Sequence, residues 1–150
     1  MEAAVLIEIT AGPLAPEPFL QHVRRDDSGA VALFLGVVRD NSVDAAGVRR
    51  RVLYLEYDAY LEMAEQKLRE VAEEALSRWP ITDVAIAHRT GRLEIGETSL
   101  LVAVSSPHRH EAFAACHHIV NRIKEVVPIW KKEVWEGGEA WIEGEPVGEK

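Results

Sequence analysis

The sequence contains a single cysteine, Cys116, among its 150 residues. One thiol excludes an internal disulfide bond and a zinc site built from several cysteines. No apolar run approaches the roughly 18–20 residues that a membrane-spanning helix needs. The first ten residues lack the basic start of a signal peptide and carry acidic residues within their apolar stretch. These absences predict a cytoplasmic, water-soluble protein that does not bind membranes.

Positive charge is also scarce. The chain has 17 Lys and Arg against 25 Asp and Glu, so its formal net charge is −8. This balance argues against nucleic acid as a partner, because broad binding to phosphates needs a surplus of basic residues. The 47% hydrophobic and 28% charged content is ordinary for a folded globule. We expect one domain over residues 1–150, with a flexible C-terminal tail after about residue 143.

Hydrophobic periodicity predicts a chain that mixes strands and helices. Strands are predicted over Val5–Thr10, Ala30–Val38, Arg51–Tyr57, Asp83–His88, Ser99–Ser105, Ile129–Trp135 and Ala140–Ile142, and helices from Pro16 to about Arg24, over Tyr60–Arg78, and from near Pro107 to Pro128. The run Ala30–Val38 is almost continuously apolar, which is typical of a buried strand. The order of elements predicts an α+β fold in which helices cover one face of a mostly antiparallel sheet.

Two lysines flank the predicted corner between the last helix and the next strand. Lys124 lies beside the apolar stripe of its helix, and Lys131 follows the break at Pro128 and shares a strand face with Glu133. Desolvation next to bulky apolar side chains would favour the neutral amine, the form that acts as a nucleophile or general base. The alternative is that both lysines extend into solvent and only decorate a hairpin.

Two further basic groups have an equally open interpretation. His108 and Arg109 stand at the predicted start of the last helix, with Ser106 as candidate N-cap, where backbone N–H groups attract anions. Arg39 follows an apolar strand, and strand ends often present functional side chains. Each of these residues is a candidate for binding a phosphate or carboxylate, or simply a solvated charge.

A metal site has little support in the sequence. His110 and His117 share a helical face, but no His-Glu-x-x-His pattern or carboxylate at ligand spacing accompanies them. Cys116 falls on the buried stripe of the same helix and is expected to be a core residue. We predict no metal and no cofactor.

Several motifs occur in a fixed order and carry a family resemblance. They are Gly36-Val37-Val38-Arg39, His88-Arg89-Thr90-Gly91 with Leu93 and Gly96-Glu97, Ser106-Pro107-His108-Arg109, and Lys124 with Pro128-Ile129-Trp130-Lys131-Lys132-Glu133. Together, over about residues 28–142, they resemble the catalytic (large) subunit of molybdopterin synthase. No single motif is specific to this family, but the lysine and His-Arg blocks together, in this register, are.

The resemblance implies a particular reaction and assembly. Family members convert cyclic pyranopterin monophosphate to molybdopterin by installing two sulfurs as a dithiolene. The sulfur arrives as a thiocarboxylate on the C-terminal Gly-Gly of a small ubiquitin-like partner subunit. The large subunit forms a central homodimer with one carrier at each end, a heterotetramer, and has an α/β hammerhead-type two-layer fold with an additional antiparallel β-sheet.

The resemblance also implies roles for individual residues. Lys124 and Lys131 correspond to the catalytic lysines. The residues implied in binding the anionic substrate are Arg39, His108, Arg109, Lys132 and Glu133. Both reactants are anions, so a locally basic pocket within an acidic protein would bring them together.

Two other functions remain compatible with the residues alone. The protein could be a docking module that binds a ubiquitin-like tail without catalysis. It could also be an unrelated enzyme that forms a Schiff base between Lys131 and a carbonyl substrate. A docking module predicts that partner affinity survives substitution of both lysines and that no reaction accompanies binding. Borohydride trapping of a small carbonyl compound on Lys131, with no sulfur donor present, would support the Schiff-base enzyme.

Overall fold

The structure is a computed structural model that describes residues 4–142. In chain order its elements are β1 (Val5–Thr10), α1 (Pro16–Val23), β2 (Ala30–Val37), β3 (Asn41–Val43), β4 (Arg49–Ala59), α2 (Leu61–Arg78), β5 (Asp83–Arg89), β6 (Gly91–Glu94), β7 (Thr98–Ser106), α3 (Arg109–Val126), β8 (Ile129–Trp135) and β9 (Gly138–Ile142). The tail predicted after about residue 143 lies outside the described residues. None of the described helices is long and apolar enough to cross a membrane.

The strands form two sheets, and the predicted α+β class is confirmed. The main sheet has the order β1-β5-β7-β2, in which only β1 and β5 are parallel. The second sheet has the order β3-β4-β8-β9, with β6 also paired to β4, and all of its pairs are antiparallel. This second sheet is the additional antiparallel unit that the resemblance implied.

The core lies on both faces of the main sheet. Side chains alternate along β5, so Val84 and Ile86 pack toward α2 and α3, whereas Ala85 and Ala87 pack toward α1. The prediction that helices cover one face is right for the two long helices and wrong for α1. The central strand is apolar at every position over 84–87, as expected for a strand covered on both sides.

Strand β2 is not the buried strand that its composition predicts. It is an edge strand, and its outward residues Val31, Leu33, Leu35 and Val37 are 36–53% exposed. Helix α1 has only eight residues, about 12 Å of helix. It packs on β5 and β7, so it leaves these four side chains uncovered. We refer to Val31, Leu33, Leu35 and Val37 as the β2 stripe.

The ends of the elements refine the predicted boundaries. Pro80 and Pro128 follow the last residues of α2 and α3, because a residue before proline is disfavoured in the helical region. Helix α3 begins at Arg109 with His108 at the N-cap, two residues later than the predicted Ser106 cap. The short strands β3 and β6 are not among the predicted elements, since three or four residues carry no periodic signal.

Candidate active site

A cavity of about 530 Å³ opens between the two sheets, at the end of α3. This volume suits a small organic ligand. Its lining comes from the end of β2, from β4, β5 and β7, and from the corner between α3 and β8. The corner is held in place because Val127 N–H donates to the Ile123 carbonyl and Tyr60 N–H donates to the Pro128 carbonyl. Strand β8 then pairs with β4, beginning at Ile129 and Ala59.

Both predicted lysines line this cavity. Lys124 stands in the last turn of α3, and Lys131 projects from β8 on the same face as Ile129 and Glu133. Lys131 is half-buried, as its apolar neighbours predict, whereas Lys124 is exposed. The expectation of two desolvated lysines is therefore wrong for Lys124, because it extends from the outer edge of the helix end.

A buried carboxylate accompanies the lysines. Glu133 also lines the cavity and is only 8% exposed. The Ser42 hydroxyl donates a hydrogen bond of 2.8 Å to Glu133 Oε1. Strand β3, which sequence analysis missed, supplies this serine. The site therefore holds a fixed negative charge within a group of positive ones.

Arg39 lies at the rim of the cavity and is exposed. Its backbone neighbour Val38 is anchored on both sides, because Val38 N–H donates to the Glu97 carbonyl and Gly96 N–H donates to the Val38 carbonyl. Gly96 has a φ of +87°, a conformation that favours glycine. This turn fixes the end of β2, so the arginine leaves the sheet at a defined point.

Lys132 lies outside the cavity. It alternates with Lys131 along β8, and its ammonium contacts Glu56 Oε1 at 3.5 Å and Glu139 Oε2 at 3.4 Å, over the Trp141 ring. The resemblance implied that Lys132 shares the substrate pocket. Strand alternation corrects that expectation, because neighbouring side chains face opposite sides of a sheet.

His108 and Arg109 are also remote from the cavity of their own chain. Both are exposed and stand at the start of α3, whereas Lys124 stands near its end. Fifteen residues of α-helix separate Arg109 from Lys124, which is about 22 Å. A single chain therefore does not bring the His-Arg pair to the lysines.

The floor of the cavity contains three polar residues that sequence analysis did not assign to the site. They are Tyr57 from β4, His88 from β5 and Ser99 from β7. For His88 the sequence indicates only the face of the sheet. It alternates in phase with Val84 and Ile86 along its strand and so faces the α3 side. Ser99 Oγ donates to the Gly36 carbonyl at 3.2 Å.

Both titratable floor groups are held in their neutral forms. Burial lowers the pKa of His88 to about 4, against a hydrogen bond to the Arg89 carbonyl, and repulsion from the Lys124 charge lowers it further. Burial raises the pKa of Tyr57, against a hydrogen bond with Ser99, and the Glu133 carboxylate adds to the rise. The cavity thus combines a cationic rim and the buried Glu133 carboxylate with a neutral polar floor of Tyr57, His88 and Ser99.

Within residues 4–142, no group of three or more His, Cys, Asp or Glu side chains is arranged to hold a metal ion. Cys116 is buried in the core, where burial raises the pKa of its thiol to about 11. At neutral pH that thiol is protonated and is a poor nucleophile. The charged side chains that line the cavity are those of Arg39, Lys124, Lys131 and Glu133.

Comparison with known proteins agrees with these motifs and this geometry. The family model of the MoaE protein matches residues 9–126, which is most of the chain. The chain belongs to the MoaE family. This assignment confirms the resemblance and makes the protein a transferase-type enzyme, similar to molybdopterin synthase catalytic subunits.

Relatives of this MoaE family member match it over most of their own length. The molybdopterin synthase catalytic subunit of Staphylococcus carnosus is 46% identical over 135 residues, 90% of this chain and 87% of that protein. The subunit of Halalkalibacterium halodurans is 44% identical over 130 residues, which cover 87% of this chain and 80% of that protein.

Solved structures show the same fold. The crystal structure of molybdopterin synthase from Staphylococcus aureus matches with a TM-score of 0.83 at 41% identity, over 90% of this chain and 95% of that one. A complex of subunits 1 and 2 of molybdopterin-converting factor from Helicobacter pylori matches with a TM-score of 0.69 at 20% identity. The match covers 95% of this chain and 92% of the matched chain. At that identity the second likeness supports the fold of this MoaE family member alone.

Proposed function

We propose that the protein is the catalytic subunit of a cytoplasmic molybdopterin synthase that acts as one domain. It converts cyclic pyranopterin monophosphate to molybdopterin with sulfur from the C-terminal thiocarboxylate of a small ubiquitin-like carrier. The observation that supports this proposal most directly is that Lys124 and Lys131, from different elements, line one cavity with Arg39. The MoaE family assignment supplies the reaction class.

The charges of the cavity suit two anionic reactants. Arg39 and the two lysines provide positive charge at the rim, where a phosphate and a thiocarboxylate would otherwise repel each other. Lys131 engages the carbonyl of the carrier's terminal glycine, because it is the more enclosed amine. Lys124 moves protons or stabilises charge on the pterin. Each transfer forms a C–S bond on the substrate while a C–O bond at the same carbon breaks, and the oxygen leaves as water or stays on the opened phosphate. Water then hydrolyses the acyl–sulfur bond and leaves a carboxylate on the carrier.

The distant His-Arg pair fits the proposal if two chains share each site. Arg109 is about 22 Å along α3 from Lys124 of its own chain, and His108 is its neighbour. In a homodimer they would reach the cavity of the second copy and add positive charge there. The exposed β2 stripe supports a second copy, because a soluble protein rarely leaves four aligned apolar side chains uncovered.

The carrier partner is proposed on chemical grounds. A Gly-Gly tail is slender and extended, and the cavity between the two sheets has room for it beside a fused-ring pyranopterin. The complex of subunits 1 and 2 from Helicobacter pylori is one of the structures that share this fold. A heterotetramer of two large and two carrier subunits follows if each cavity of a homodimer binds one tail.

Alanine substitution of each lysine tests the proposal. We expect Lys124→Ala and Lys131→Ala to lower the rate of dithiolene formation at least about 100-fold, the usual contribution of a positioned proton-transfer or charge-stabilising group. Lys67→Ala is the matched control, since Lys67 lies on α2 and pairs with Glu70 at the surface. Product is measured with purified carrier thiocarboxylate and cyclic pyranopterin monophosphate.

The same assay separates the alternatives. Turnover at the wild-type rate in both lysine variants would contradict the assignment of these residues. Carrier binding without any product from the wild-type protein would instead indicate a docking module. Borohydride trapping of a carbonyl compound on Lys131, in the absence of carrier, would indicate Schiff-base chemistry.

A further inference from the structure

The neutral floor of the cavity has no role in the charge-based chemistry proposed above. His88 is only 6% exposed and Ser99 only 7%, and both stand on strands of the main sheet. The cationic groups occupy the rim instead. A ligand that places an anionic group at the rim therefore places an uncharged part against His88.

The hydrogen bonds of His88 identify which of its nitrogens carries the proton. His88 Nδ1 lies 2.7 Å from the carbonyl oxygen of Arg89. A carbonyl oxygen only accepts hydrogen bonds, so Nδ1 is the donor and carries hydrogen. The pKa of about 4 keeps the imidazole neutral at pH 7, and a neutral ring has one N–H. Nε2 is consequently a bare acceptor.

The Nε2 acceptor faces the cavity. Two side-chain atoms in the described part of the chain are fully enclosed without a hydrogen-bond partner, His22 Nε2 and Arg89 Nε. His88 Nε2 also has no partner among residues 4–142, yet it is not one of the fully enclosed atoms. Nε2 therefore keeps accessible surface, and because His88 lines the cavity this acceptor is available to a ligand bound there.

The orientation of the ring is fixed before any ligand binds. The Tyr57 ring packs edge-on against His88, with centroids 5.0 Å apart and planes at 69°. With the Arg89 carbonyl on Nδ1, this contact leaves the imidazole no freedom to flip. A preorganised acceptor of this kind discriminates between ligands, because a ligand without a matching donor leaves Nε2 desolvated and unpaired.

We infer that His88 determines substrate specificity: its Nε2 accepts a hydrogen bond from an N–H group of the heterocyclic ring of the substrate. The inference rests on the proposed function for the identity of that ring. A pterin carries an exocyclic amine and ring N–H donors, and its phosphate would remain at the rim with Arg39 and the lysines. The same geometry excludes His88 as a proton donor to the ligand, since its one N–H is already bound to the Arg89 carbonyl.

Binding measurements on two probes test this division of the cavity. Cyclic pyranopterin monophosphate probes floor and rim together, and inorganic phosphate probes the rim alone. We expect His88→Leu to weaken binding of the pterin about fivefold to tenfold and to leave phosphate binding unchanged. His88→Gln retains an acceptor near the position of Nε2, so its affinity for the pterin should stay within about threefold of wild type. His117→Leu, at an exposed position of α3, is the matched control.

A spectroscopic measurement on the wild-type protein keeps the inference testable if His88→Leu does not fold. Long-range ¹H–¹⁵N correlation spectra of labelled protein at pH 7 should show the Nδ1–H tautomer for His88, assigned by its absence in His88→Gln. An Nε2–H tautomer, or equal pterin affinity in folded His88→Leu and wild type, would overturn the inference. Wild-type protein that neither binds the pterin nor forms dithiolene would instead refute the proposed function.

Discussion

Single residues of the site differ in how well the sequence predicts their position in the structure. Lys124 and Lys131 are predictable members of one site, because a proline-terminated helix and a period-two strand place them on either side of one corner. His88 is not, since a histidine within an apolar strand is compatible with a simple core position. Only the pairing of β5 between β1 and β7 places its ring in a cavity.

Asp83 is a second residue whose importance depends on its partners. Its side chain is 1% exposed, and it accepts hydrogen bonds from the Arg25 guanidinium at 2.7 and 2.9 Å and from the Ala4 N–H at 2.7 Å. We expect Asp83→Ala to lower the free energy of unfolding by about 3–5 kcal/mol, because it removes the buried carboxylate from an ion pair with a largely buried arginine. Urea denaturation followed by circular dichroism measures the change.

An exposed aspartate provides the comparison for this prediction. Asp27 lies in the turn after α1 and is exposed, so Asp27→Ala removes the same charge without disturbing a buried pair. The free energy of unfolding of that variant should remain within about 0.5 kcal/mol of the wild-type value. Equal stabilities of the Asp83 and Asp27 variants would show that the Arg25 contact contributes nothing to folding.

At the scale of elements, the long and periodic segments were predictable and the short ones were not. Both long helices and strands β1, β5, β7 and β8 follow from apolar spacing and proline boundaries. Strands β3 and β6 depend on β4 for their hydrogen bonds, as in the pairing of Asn41 with Arg51. The exposure of β2 was equally unpredictable, because its edge position results from sheet order and from the shortness of α1.

The contact between α2 and α3 includes a surface ion pair that should respond to acid. Glu74 on α2 accepts from His118 at 2.6 Å and from Arg122 at 3.1 Å, both on α3. The pKa of Glu74 is lowered, chiefly by the His118 hydrogen bond, with burial opposing and the Arg122 charge assisting. A lowered carboxyl pKa stabilises the fold above its unfolded value of about 4.5, and this stability is lost as pH falls below it.

Glu74→Gln should therefore remove part of the acid sensitivity of folding. We expect the free energy of unfolding at pH 7 to fall by at most about 1 kcal/mol, since Glu74 is 42% exposed and water and salt screen the pair. The difference from wild type should shrink below about pH 4.5, in thermal unfolding measured by circular dichroism. Glu73→Gln, the same change at an exposed neighbouring position, should leave the pH dependence unchanged. A pH-independent gap between Glu74→Gln and wild type would contradict the electrostatic explanation.

For the whole molecule, one chain does not bring together all the residues that the proposed reaction uses. Helix α3 carries Lys124 at one end and the His-Arg pair at the other, so one rigid element separates two groups that the proposed reaction brings together. This separation follows from the predicted helix itself, because the residues between Arg109 and Lys124 span about 22 Å when helical. The β2 stripe provides an apolar surface through which a second copy could complete each cavity.

Mixing two inactive variants tests whether the sites are shared. In a homodimer of Lys131→Ala and Arg109→Ala chains, a shared-site arrangement leaves one cavity with wild-type Lys131 from one chain and wild-type Arg109 from the other. If each variant alone is inactive and the chains exchange at random, the mixture should recover about a quarter of wild-type dithiolene formation, as half of the dimers are mixed and have one intact cavity. Sites built within one chain would remain inactive in every mixed dimer, so no recovery after verified chain exchange would contradict the shared site.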